Sequence, residues 1–120
     1  MVDALDARPA VYGTGTMLDE SVVAVISEMG RTPRINGANG KDHWPVTTAM
    51  LIGGGVRGDH VFGGTSATGE ASKTLFSTGV ASAEGRTIEP RHFVAGLVKL
   101  CGVDPSTELP DAEAFDAFIA

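Results

Sequence analysis

Residues 22–45 read VVAVISEMGRTPRINGANGKDHWP, from Val22 to Pro45. Val22 to Ile26 is a β-branched run interrupted only by Ala24. Continuous rather than alternating apolarity is the pattern of a strand buried on both faces, the usual case for a central parallel strand. The run ends in Ser27 and Glu28. A loop rich in Gly, Asn and Pro follows, carrying Arg31, Arg34, Lys41, Asp42 and His43. A carboxylate just past the carboxyl end of a buried strand is where open α/β sheets bind ligands. The stretch therefore reads as the edge of an active site.

Working outward, Val2 to Arg8 has Ala and Leu spaced for one or two helical turns, and Pro9 to Met17 is loop. Met29 to Lys41 is a long loop broken by Gly30, Pro33, Gly37 and Gly40. Val46 to Ile52 is a second strand candidate and His60 to Phe62 a short third one. Thr65 to Lys73 is small, polar and exposed. Thr74 to Ser77 and Arg86 to Ile88 read as short strands around Gly79 to Gly85. Glu89 to Gly102 is the clearest helix: Pro90 suits its first turn, Phe93, Val94, Leu97, Val98, Leu100 and Cys101 line an apolar face, and Gly102 closes it. Asp111 to Ala120 is spaced for a short terminal helix. Strand, loop, strand, small β elements and helix predict an α/β fold with a mostly parallel buried sheet. One clear helix cannot cover both faces of such a sheet, so the fold is expected to be partial or to depend on a partner.

Composition bounds the function. The chain has 120 residues, enough for one small domain, with 42% hydrophobic and 20% charged residues. Its 16 glycines are roughly 13% of the chain, about twice the usual share, and mark many turns. A net charge of −6 lacks the basic footprint that non-specific nucleic-acid binding requires. No apolar run is long enough for a membrane span. The single cysteine, Cys101, makes no internal disulfide and leaves the redox compartment undetermined; it reads as a buried, inert thiol.

The chemistry-bearing residues lie in the opening stretch. Glu28 offers hard oxygen donors to Zn, Mg, Mn or Ca, or serves as a general base; the plainer reading pairs it with Arg31 or Arg34. His43 is open to three uses: metal ligand, proton shuttle, or hydrogen-bonded structural residue. Asp42 beside it can orient the imidazole, and Pro45 keeps His43-Trp44 extended. Arg31 and Arg34 suit a phosphate or sulfate group, or simply balance nearby carboxylates. His60 and His92 read as structural, with His92 on a partly exposed helix face. Gly53 to Gly58 satisfies G-x-G-x-x-G, but a dinucleotide site needs a helix after it and the sequence continues as strand and turn. Arg57-Gly58-Asp59 is a chance tripeptide in a turn.

Three blocks, Ser27 to Asn36, Gly40 to Pro45 and Leu51 to Gly58, resemble in order and spacing the C-terminal part of the bacterial domain-of-unknown-function family 1501. That family is similar to the alkaline phosphatase and sulfatase superfamily. The resemblance implies a partial alkaline-phosphatase-like sandwich and a divalent metal ion bound by Glu28 and His43. It implies that Asp42 orients His43 and that Arg31 and Arg34 bind a substrate anion. Met29 stands where that superfamily places a metal-binding histidine, and a thioether is a poor ligand for hard cations. The superfamily nucleophile precedes the matching blocks, so no catalytic nucleophile is assignable.

The resemblance further implies that residues 1–120 are one domain, the C-terminal fragment of a larger exported, periplasmic protein whose N-terminal portion is missing. Two functions follow as expectations. One is part of a metal-dependent hydrolase of phosphate or sulfate esters, on small molecules or polysaccharides, inactive as an isolated chain. The other is a non-catalytic cell-envelope binding or assembly module, acting in an oligomer or beside the missing portion.

Overall fold

The computed structural model describes residues 1–120. Its elements in chain order are α1 (Val2–Asp6), β1 (Val22–Ile26), β2 (Gly30–Arg31), β3 (His43–Trp44), β4 (Ala49–Gly53) and α2 (Pro90–Leu100). The four strands form two separate two-stranded sheets, and both are antiparallel. The expectation of a mostly parallel buried sheet, and with it the alkaline-phosphatase-like sandwich, is corrected.

The physical reason lies between β1 and β4. Parallel strands need a long crossover, usually a helix. The residues from Ser27 to Thr48 are too rich in Gly, Pro and Asn to make one. They fold back as the β2–β3 pair instead, which turns the chain round and delivers β4 antiparallel to β1. Val22 pairs with Gly53 and Ile26 with Ala49; further along, Gly30 pairs with Trp44 and Arg31 with His43. The two ladders are thus successive rungs of one long ribbon. They are offset by one residue, because Ser27 to Met29 faces the longer Pro45 to Thr48. At this offset the backbones close up: a Cβ on Gly30 would sit 1.7 Å from the Val46 carbonyl oxygen.

The ribbon's apolar residues are only partly covered. Val25, Ile26 and Met50 are 51%, 54% and 52% exposed, so β1 is not a strand buried on both faces. Direct cross-strand neighbours share a face. Ala24 and Leu51 lie on the face toward the core, where Leu51 packs, while Val25 and Met50 lie together on the other.

The core sits at the base of the ribbon. Phe115, Ala117 and Phe118 are its buried centre, packed by Leu51, Phe62, Phe76, Phe93, Leu97 and Leu100. Phe115 meets Phe76 edge-on at 5.3 Å and Phe62 at 6.3 Å, a favoured aromatic geometry. The expected terminal helix over Asp111 to Ala120 is not formed. Its backbone is drawn into tertiary bonds: Phe115 N–H donates to the His92 carbonyl, Arg57 N–H to the Phe118 carbonyl, and Ala120 N–H to the Gly55 carbonyl. These bonds seat the two phenylalanines under α2, and the gain in burial outweighs a short helix of marginal intrinsic stability.

Helix α2 forms as its sequence dictates, with Pro90 in the first turn. His92 is buried rather than partly exposed. Its Nδ1 accepts the Glu89 N–H at 3.1 Å, closing the helix start, and its ring packs edge-on against Phe76. Cys101, expected inside, is exposed at the helix end. His60 to Phe62 makes no strand: Asp59 has φ +57°, and His60 Nδ1 bonds the Gly58 carbonyl at 2.6 Å. The pair Thr74 to Ser77 and Arg86 to Ile88 is reduced to single bridges, from Thr74 to Arg86 and to Ala81. The Gly53-Gly54-Gly55 triplet is a packing turn, with Gly54 N–H bonded to the Leu18 and Ser21 carbonyls. No helix is long and apolar enough to cross a membrane.

Candidate functional site

The distal end of the ribbon carries the residues singled out above. The β2–β3 turn is braced from within. Thr32 N–H donates to the Asp42 carbonyl at 3.0 Å, and Asp42 N–H to Thr32 Oγ1 at 3.1 Å. Asn36 Oδ1 accepts the Ala38 and Gly40 N–H groups, and its Nδ2 donates to Asp42 Oδ1 at 2.8 Å. Asp42 therefore spends its carboxylate on Asn36 and the loop. Arg31 Nη1 donates to the Lys41 carbonyl at 3.2 Å, tying the two sides of the turn.

Glu28 and His43 flank this turn. His43 lies directly across the ladder from Arg31. Glu28 lies three residues before Arg31, up to roughly 10 Å of extended chain away. Both side chains are exposed, and neither enters a hydrogen bond or ion pair within the chain. An oxygen donor with an imidazole suits Zn by chemistry, while Mn, Mg or Ca would draw on the carboxylate oxygens. No group of three His, Cys, Asp or Glu side chains converges, however. A catalytic zinc takes three protein ligands. The chain alone therefore does not fit a resident catalytic metal.

Arg34 points the site elsewhere. With Thr32, Pro33, Trp44, Thr68 and Glu70 it lines a cleft of about 350 Å³ between the β2–β3 turn and the loop at 65–71. Trp44 joins the two walls: its indole Nε1 donates to the Gly69 carbonyl at 2.8 Å. The loop is internally built, with Ser66 N–H on the Glu70 carbonyl at 2.8 Å and Ser66 Oγ accepting the Glu70 N–H at 3.1 Å. Of the cleft's lining, the sequence pointed to Arg34 as a candidate anion binder, whereas Thr68 and Glu70 read as plain exposed loop. A tryptophan whose N–H must find an acceptor, and a Gly-containing turn able to offer one, were the only available signals.

Away from the ribbon, the Glu20 carboxylate accepts the N–H groups of Val11, Tyr12 and Gly13. These bonds, that from Val11 foremost, hold its carboxyl below the usual range. Asp19 is likewise held low by the Thr16 N–H and hydroxyl. The pair clamps the loop at 11–16 onto the entry to β1, a structural task that takes both carboxylates out of the candidate site.

No curated protein matches this chain, and no solved structure matches it. A family model does, that of a protein of unknown function, DUF1501, over residues 13–116. The match takes in the whole ribbon, the cleft and α2, and the chain belongs to the DUF1501 family.

Proposed function

We propose that this chain supplies the metal- and anion-binding edge of a larger metal-dependent hydrolase of phosphate or sulfate esters, related to the alkaline phosphatase and sulfatase superfamily and inactive on its own. The observation that carries this reading is the pair Glu28 and His43: two exposed metal donors with no partner in the chain, flanking a rigid turn that also holds Arg31 and Arg34. By contrast, Glu20 at the entry to β1 and Asp42 within the turn are engaged by neighbouring N–H groups. Further ligands and the nucleophile would come from an N-terminal portion of the parent protein.

The uncovered ribbon supports that arrangement. Total accessible surface is 8164 Å², against about 6,100 Å² for a compact monomer of 12.3 kDa. Excess surface of this size, with Val25, Ile26 and Met50 in it, is what a domain exposes when its packing partner is taken away. The test is a hydrolysis assay on aryl phosphate and aryl sulfate with Zn, Mn, Mg or Ca. The isolated chain is expected to show no turnover. Turnover by the chain alone, abolished by His43→Ala, contradicts the reading.

A second reading is a non-catalytic envelope module with the same ancestry. It is favoured by Met29 in the ribbon and by the lack of a third metal donor. It differs in one respect: Glu28 and His43 then bind no metal.

A further inference from the structure

The cleft beneath Trp44 has a charge pattern that a simple anion site would not have. Arg34 and Glu70 both line it, yet they form no ion pair with each other or with any other residue. Both residues are exposed on its lining, so a ligand that enters meets a cation and a carboxylate that are not paired with each other. Trp44 lines the same cleft, and an aromatic ring attracts ammonium groups over its face. The guanidinium of Arg34 matches a tetrahedral anion. The volume, about 350 Å³, is at the lower end for small-molecule sites. Both walls are internally hydrogen-bonded, so the space is formed before a ligand arrives.

We propose that this cleft binds a small zwitterion: a phosphoryl or sulfuryl ester group held by Arg34, joined through a short chain to an ammonium group held by Glu70 and Trp44. The assignment names a substrate class for the site described above and rests on that reading for its catalytic meaning. Binding itself requires neither Glu28 nor His43. A lipid headgroup and a free phosphomonoester share this chemistry.

Trp44 is the only tryptophan, so its emission reports on the cleft directly. The experiment titrates the full chain with phosphoethanolamine, ethyl phosphate and ethanolamine, followed by Trp44 fluorescence and calorimetry. Phosphoethanolamine is expected to bind at least tenfold more tightly than either half-molecule. Arg34→Gln and Glu70→Gln should each weaken it at least tenfold with unchanged circular dichroism, while Glu84→Gln, at an exposed residue outside the cleft, leaves it intact. Co-sedimentation with phosphatidylethanolamine vesicles marks the lipid headgroup as the source, and soluble binding without it marks the free ester. The proposal is overturned if ethyl phosphate binds as well as phosphoethanolamine, if Glu70→Gln has no effect, or if nothing binds at millimolar concentration. Metal binding that fails while phosphoethanolamine still binds would remove the hydrolase reading and leave the cleft standing.

Discussion

At the scale of single residues, close approach and charge dominate. Gly96 in α2 is buried, and a Cβ there would lie 2.0 Å from the Phe115 carbonyl oxygen. Alanine would favour the helix by up to about 1 kcal/mol, but the clash is with backbone and outweighs this. Gly96→Ala is expected to destabilise by about 2–3 kcal/mol in urea unfolding; a stabilised variant would show that α2 does not rest on Phe115. Glu20 provides a pH prediction. Its folded-state carboxyl titrates below its unfolded value, so its contribution is present above the ordinary Glu range and is lost as pH falls through the lowered value. The thermal midpoint should therefore drop below that range, and Glu20→Gln should be less stable near neutrality with a shallower acid dependence. An unchanged acid profile in Glu20→Gln would contradict the clamp.

Elements show what was legible in the sequence. Helix α2 was readable because its apolar spacing, Pro90 and Gly102 all agree, and β1 because its apolar run is unbroken. The sheet type was not. An apolar run states that a strand wants cover, not that it has it, and β1 pairs only with β4. The β2–β3 pair was hidden inside what reads as loop, since each strand has only two residues. Phe115 and Phe118 have helical spacing, yet they serve the core from irregular backbone because long-range bonds to α2 and to Gly55 and Arg57 override local preference. For the site, Glu28, Arg31, Arg34 and His43 were legible as residue types on one stretch. The cleft was not, because it exists only where Gly69 docks on Trp44 across a wide sequence gap. Trp44→Phe keeps most of the packing and loses the indole hydrogen bond, a cost of about 1 kcal/mol. Hydrogen exchange should show the loop at 65–71 losing protection in that variant while α2 keeps its own; unaltered protection would mean that the peg is not what holds the loop.

On the scale of the whole molecule, the chain is long and thinly covered. Its extents are 52 × 33 × 26 Å and its radius of gyration is 16.6 Å, against about 14 Å for a compact chain of this length. A two-stranded ribbon is marginal by itself in water. The apolar dye ANS is therefore expected to bind the isolated chain, and Val25→Lys or Met50→Lys should reduce that binding without altering α2. Dye binding insensitive to both substitutions would place the exposed apolar surface elsewhere.

Calorimetric titration of the chain with Zn and Mn tests the central claim most directly. Weak binding, in the high micromolar to millimolar range, is expected, and each of Glu28→Gln and His43→Ala should weaken it at least tenfold. The absence of binding at millimolar metal, or binding untouched by both substitutions, would contradict the account.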